Sequence, residues 1–356
     1  MKNSLNGVKV IVTGGAGFIG SELTRQLCEK HKAKVIVIDN LVNGVKENLV
    51  DLIDNGCELA VVDIRDEDKV LHLMKGVSIV FHLACLGVRH SIHSPMENHD
   101  VNATASLRLL ELALKQGVDR FVYCSSSEVY GTARTVPMTE LHPTFPMTVY
   151  GSAKLAGESY TLSYNRTYGL PTVVVRPFNA YGPRSHHEGD CGEVIPKFML
   201  RSMAGRPMVI FGDGSQTRDF TYVSDTAHSL ILAATSNNTI GETINIGQGC
   251  EITINDLAAE VRKTLSKPGA PLEYDDQRQG DVLRLFADTT KARDLLGYTP
   301  LITLGDGLGR LRDWYSSLPE SPEELLKKEW VRNWHRQEKS AINHRSCEQK
   351  STEHTE

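Results

Sequence analysis

Short apolar runs rich in β-branched residues recur through the first half of the chain: VKVIVTG from Val8, KVIVIDN from Lys34, ELAVVD from Glu58, SIVFHLA from Ser78, RFVYCSS from Arg120 and PTVVVRP from Pro171. The segments between them carry apolar residues at helical spacing, as in ASLRLLELALKQG from Ala105. Continuous apolar strands are those buried on both faces, and their alternation with amphipathic helices predicts βαβ units around a parallel sheet. The expected fold is α/β, a doubly wound parallel sheet. Beyond Gly182 the pattern loosens: VIPKFMLRSMAG reads as an amphipathic helix, MVIFGDG and ETINIG as short strands, and residues 254–265 and 289–296 as further helices. A smaller mixed α/β region is expected there. After about Leu318 the chain turns charged and helix-prone, and from Gln337 onward its polar sequence has little to bury and is expected to be disordered. These shifts divide the chain into 1–181, 182–318 and 319–356.

Composition narrows the classes of function. A chain of 356 residues, 40% apolar, can bury a substantial core. Its formal charge of -5 offers no electrostatic footprint for nucleic acid or an anionic membrane, so neither is expected as a partner. The first residues run into a strand without a basic-then-apolar leader, and no apolar run approaches the roughly 18 residues of a membrane span. A cytoplasmic protein is expected. Seven cysteines, scattered and without a C-x-x-C pair, read as reduced thiols.

VIVTGGAGFIG places Gly15, Gly17 and Gly20 in G-x-G-x-x-G spacing between a strand and a helix, with Gly14 just before and Phe18 and Ile19 inside the motif. Glycine suits a tight turn that a pyrophosphate approaches closely, at a helix start whose N–H groups favour anions. This is the dinucleotide-binding, or Rossmann, pattern. Asp39, followed by Asn40, ends the second strand nineteen residues after Gly20. A carboxylate there accepts from ribose hydroxyls and repels a 2′-phosphate, favouring NAD over NADP. Asp63 and Ile64 end the third strand and are placed to border the adenine.

Tyr150 and Lys154 in VYGSAKLAGE stand four apart on one helix face, where an ammonium beside a phenol draws it toward the range of a general base. Joined to SSSEVYG at 125–131 and RPFNAYGPR at 176–184, these motifs resemble the extended short-chain dehydrogenase/reductase family, and within it the nucleotide-sugar epimerases, dehydratases and decarboxylases. The resemblance runs over about residues 8–315, through VFHLA, VNAT, GDGSQTRDFTYVSD and GDVLRLFADTTKA. It implies tightly held NAD, Tyr150 as base, Lys154 on the nicotinamide ribose and Ser126 on the sugar oxygen being oxidised. It also implies that Asn179, Arg218 and Arg278 bind the nucleotide diphosphate and that the protein is a homodimer; Arg89 and Arg184 are read as further substrate contacts. Arginine forks suit phosphate oxygens. Ser91 is expected near the sugar as well.

The shared step is oxidation of the sugar, usually at C4. Return of the hydride to the other face gives a 4-epimer and needs no further group, whereas removal of the C5 proton and loss of the C6 hydroxyl give a 4-keto-6-deoxy sugar and need a second base. Glu128 is placed to be that base, and the reading prefers a 4,6-dehydratase. The alternative is a UDP-sugar 4-epimerase of the UDP-glucose or UDP-N-acetylglucosamine type. Two departures bear on this: relatives of the dTDP-glucose dehydratase type carry an aspartate where Ser127 stands, and decarboxylases carry an arginine where Leu285 stands, with Arg284 adjacent. A UDP-glucuronate decarboxylase is therefore a weaker reading. So is a non-catalytic NAD-binding regulator, which has no use for the Ser126, Tyr150 and Lys154 set. SHHEGDCGE at 185–193 looks metal-like, but adjacent histidines point apart and no second ligand pair supports them, so no metal is expected and the segment reads as a substrate loop. Cys85 and Cys124, at strand ends, read as small buried hydrophobes.

Overall fold

The computed structural model describes residues 4–278 and 281–333, so the tail expected to be disordered from Gln337 lies outside the described residues. The six apolar runs form β1 (Lys9–Thr13), β2 (Lys34–Asp39), β3 (Glu58–Val61), β4 (Ile79–His82), β5 (Arg120–Cys124) and β6 (Thr172–Pro177). A seventh strand, Thr243–Ile246, pairs with β6, and every pairing in the sheet is parallel. The spatial order is Thr243–Ile246, β6, β5, β4, β1, β2, β3. Neighbours of β1 are β2 on one side and β4 on the other, so the winding reverses there. A crevice opens outside the carboxyl ends of the strands at that point.

Alternate residues of the strands feed opposite faces. Val10, Val12, Val37, Phe81, Val122 and Val175 pack on one face against Leu23 and Leu27 of α1 (Phe18–Glu29) and against Leu230 and Ile231. Ile11, Ile36, Ile38, Val80, Phe121 and Val174 pack on the other against Leu109, Leu110 and Ala113 of the helix Ala105–Gln116. The division expected at residue 181 is crossed by the chain. The helix Val223–Thr235 lies on α1, and ETINIG, assigned from sequence to the second region, becomes the edge strand of the first sheet. The remainder of the second region has its own core, around Ile195, Phe198, Met208, Ile210, Leu257 and Leu311.

A polar network buried below the SSSEVYG turn ties the edge strand Thr243–Ile246 to the rest of the first sheet. Arg176 on β6 grips Glu158 through Nε at 2.8 Å and Nη2 at 2.5 Å, with side chains 7% and 2% exposed. Its Nη1 donates to the Tyr130 hydroxyl at 2.6 Å, which donates to Asn245 Oδ1 at 2.7 Å. Removing one partner of such a pair strands a charge in low dielectric. Glu158→Gln is expected to lower unfolding stability by about 3–5 kcal/mol, measured by denaturant titration. A loss below about 1 kcal/mol, the scale of a surface pair, would contradict the buried pairing.

Candidate active site

A single cavity follows the carboxyl ends of the strands and contains most of the residues singled out from sequence. Gly14, Gly17, Phe18, Ile19, Gly20, Asp39, Asn40, Asp63 and Ile64 line one side of it; Ser126, Glu128, Tyr150, Lys154, Asn179, Arg89, Arg218 and Arg278 line the rest.

The glycine turn is built for close approach. Gly14 has φ +70°, and a Cβ there would sit 2.7 Å from the Ala84 nitrogen; at Gly20 it would sit 2.1 Å from the Gly14 oxygen. Gly15 does not reach the cavity but lets the turn lie on Val37. Asp39 is held at the end of β2 by the Ala16 N–H at 3.0 Å and the Leu41 N–H at 2.9 Å. Burial raises its pKa against those two donors. Asn40 donates to Asp63 at 2.9 Å, and the Arg65 fork on the same carboxylate holds Asp63 well below the ordinary range. A side-chain-free cradle at the start of α1, with a fixed carboxylate beyond it, fits NAD.

Tyr150 and Lys154 owe their positions to the helix Val149–Tyr168, which opens on Thr148, whose hydroxyl accepts from the Gly151 N–H, and ends at Gly169 with φ +71°. Gly151 lies against the turn after β5, where a Cβ would come within 2.8 Å of the Glu128 carbonyl oxygen. The helix start and the serine turn are therefore in contact. Lys154, 3% exposed, donates from Nζ to the Cys124 carbonyl at 2.8 Å. Burial disfavours its ammonium, but Cys85, Tyr123 and Tyr150 outweigh that and its pKa lies above the ordinary lysine value. Tyr150 departs from the simple expectation. Burial raises the phenol and Cys85 adds to this, while Lys154 and the Ser126 hydroxyl pull it down, so the net direction is up. Cys85 and Cys124, expected to be buried hydrophobes, both line the cavity; Cys85 is half-buried and Cys124 buried. Below them His82 is hydrogen-bonded to Thr13 and Ser106, both at 2.8 Å, and burial takes its pKa down to about 3.

Ser126 caps the short turn Ser127–Val129 by accepting from the Glu128 N–H at 3.2 Å. The turn carries Glu128 into the cavity, where burial raises its pKa against the nearby Arg278, Arg218 and Arg89. Arg218 and Arg278 share one acceptor, Asp281 Oδ1, at 2.8 and 2.5 Å. Asp219 does not pair with Arg218; it accepts backbone N–H groups of Gln248, Gly249 and Ala287.

Other expected contacts are placed elsewhere. Arg184 turns out of the cavity and pairs with Glu22 of α1 at 2.6 Å, tying the loop after β6 to the cofactor helix. Ser91 is buried and donates to the Val88 carbonyl at 2.6 Å. Leu285 is fully buried, and Arg284 is held outside the cavity by Glu251. The histidine-rich loop does border the cavity, with His186 bound to Glu188 at 2.5 Å and Asp190 to His93 at 2.9 Å. Sequence reasoning missed Glu193, which pairs with Arg89 at 2.8 Å, and the cavity-lining Lys197 and Arg201. The last two stand four apart on the helix Val194–Met203, a spacing that marks one face.

Residues 10–247 match the model of the NAD dependent epimerase/dehydratase family. UDP-glucose 4-epimerase of Thermotoga maritima, solved with UDP-glucose, is 34% identical, with TM-score 0.82 over 87% of this chain and 99% of that one. DesIV, the dTDP-glucose 4,6-dehydratase of Streptomyces venezuelae, solved with NAD bound, is 31% identical, with TM-score 0.82 over 87% of this chain and 97% of that one. UDP-glucuronic acid decarboxylase 1 of Arabidopsis thaliana is 35% identical over 85% of this chain and 69% of its own length. A parallel sheet with a glycine cradle, a serine–tyrosine–lysine set and paired arginines beyond it, matched in sequence over most of the length, places this chain in the NAD-dependent nucleotide-sugar epimerase/dehydratase family.

Proposed function

We propose that the protein oxidises a nucleotide-diphosphate hexose at C4 and then dehydrates it across C5 and C6. The observation that carries the reading is Glu128, a carboxyl group in the cavity with a raised pKa on the same turn as Ser126. NAD bound in the glycine cradle supplies the acceptor and donor of hydride. Tyr150 takes the proton of the C4 hydroxyl while Ser126 hydrogen-bonds the same oxygen, and Lys154 holds positive charge beside the phenol. The C4 ketone acidifies the C5 proton; Glu128 takes it, the C5 electron pair forms the C5–C6 double bond, and the C6 hydroxyl leaves as water with the proton Glu128 returns; return of the C4 hydride to C6 and uptake of a solvent proton at C5 would then complete the 4-keto-6-deoxy sugar. One carboxyl serves as base and then acid, and its raised pKa suits both tasks. Arg218 and Arg278 supply two guanidinium forks for the pyrophosphate. Leu285 and Arg284 lie outside the cavity, so the position at which decarboxylases are expected to carry an arginine supplies no cation to it.

UDP-sugar 4-epimerisation is the second reading, favoured by the likeness to the Thermotoga epimerase and by Ser127, which offers no acid for the departing hydroxyl. Mass and NMR analysis of products from UDP-, dTDP- and GDP-hexoses tests both. Loss of water is the expected result; an unchanged mass with inverted C4 would move the assignment to epimerisation.

A further inference from the structure

The chain beyond the helix Leu304–Ser317 lies outside the residues matched by the family model, yet it returns to the cavity. Glu329, Val331 and Asn333 line it together with Lys197, Phe198 and Arg201. The path is anchored along its length. The short helix Pro322–Leu326 opens on a capping box between Ser321 and Glu324 and buries Leu325 and Leu326 in the core that holds Phe198. Glu329 then accepts from Arg201 Nε at 2.9 and 3.0 Å, with side chains 4% and 10% exposed. Lys197 Nζ donates to the Trp330 carbonyl at 2.7 Å. Asn333, 3% exposed, donates to the Gly192 carbonyl at 2.9 Å, and the Lys328 carbonyl accepts from the Gly189 N–H at 2.9 Å. Arg332 closes the span by donating to Asp275 from Nε at 2.9 Å. Asp275 ends the strand Leu272–Asp275, opposite Phe211 in the neighbouring strand.

The segment therefore crosses from the helix Val194–Met203 to the two-stranded ladder whose Val209 and Phe211 line the cavity. Charge sorts the cavity's cations. Glu329 takes Arg201, Glu193 takes Arg89, and Lys197, whose pKa burial lowers to about 8, is spent on a carbonyl. Arg218 and Arg278, which share Asp281, also line the cavity, and so do the apolar side chains Phe198, Val209 and Val331 and the buried Asn333. A flat, uncharged group with an amide-like edge suits a lining of apolar side chains beside a carboxamide. Resting on the sugar-nucleotide reading above, we infer that residues 329–333 are a fixed wall of the nucleotide end of the cavity, against which the base of the nucleoside diphosphate docks, with Asn333 facing its edge.

Val331 is 39% exposed, so enlarging it does not require the core to move. The full chain, Val331→Trp and Asn333→Ala are titrated calorimetrically with UDP, dTDP, GDP and NAD, and their melting temperatures are compared. Val331→Trp is expected to weaken the preferred diphosphate by about tenfold or more, and Asn333→Ala to narrow the spread among the three diphosphates. NAD affinity and melting temperature should hold in both. Unchanged diphosphate affinities in folded variants overturn the inference. So does equal weakening of NAD and diphosphate, the mark of a segment that only props the helix. If the unaltered chain binds none of the three diphosphates, the sugar-nucleotide reading itself falls.

Discussion

Tyr150→Phe should lower turnover by about 10²–10⁴-fold while NAD stays bound, because it deletes one proton-transfer oxygen and keeps the ring. The helix that carries it is capped by Thr148 independently of the phenol, and Lys154 remains fixed by the Cys124 carbonyl. Binding is thus left standing and the loss falls on kcat. Ser126 cannot substitute, since its hydroxyl already accepts from the Glu128 N–H and its own pKa lies far above that of a phenol. The pH profile gives a second check with a defined sign. Burial holds the phenol above its usual value, so the ionised fraction, and with it the rate, rises with pH on the alkaline side. The Phe variant lacks that rise. Steady-state kinetics and NAD content after gel filtration measure the effect, and turnover within tenfold of the unaltered enzyme would remove Tyr150 as the base.

Much of this site was legible in the chain because its parts are local. Gly14 to Gly20, Asp39, Ser126 to Glu128 and Tyr150 with Lys154 each sit at a strand end or on one helix face, and the parallel sheet brings every strand end to the same crevice. Whatever depended on three-dimensional partners was not. Nothing in RPFNAYGPR tells that Arg184 reaches back to Glu22, 162 residues earlier, while Asn179 five positions before it faces the cavity. ETINIG has the apolar alternation of any short strand; only its register beside β6 makes it the edge of the first sheet. At Tyr150 the expected pull of Lys154 is present, yet the net direction is set elsewhere, for a related reason. Spacing in sequence reports the neighbouring lysine, but the burial that outweighs it comes from the assembled cavity. The C-terminal wall escaped because its charged, helix-prone composition reads as a surface, and its contacts with Arg201 and Gly192 span more than a hundred residues.

Glu128→Gln should separate the two reactions that share C4 oxidation. As the base at C5, Glu128 contributes on the scale of a positioned carboxylate, so the dehydrated product is expected to form about 10²–10⁴-fold more slowly. Oxidation at C4 uses Ser126 and Tyr150 and should persist, and the keto sugar or the starting sugar is recovered in place of product. Exchange of the C5 hydrogen with deuterated solvent, followed by NMR, reports the step directly: the unaltered enzyme should exchange it and the Gln variant should not. The acid limb of the rate profile carries the same information. A base must be ionised, and burial raises the Glu128 pKa, so activity should fall with decreasing pH at a value above the ordinary glutamate range of about 4.3. Glutamine has nothing to titrate, and that limb should vanish from its residual activity. In a 4-epimerase the carboxyl only crowds the sugar, and the substitution would leave C5 unexchanged, the product inverted at C4 and the rate within a few fold. That outcome would assign Glu128 a structural part in the serine turn and leave Ser126, Tyr150 and Lys154 as the whole of the catalytic apparatus.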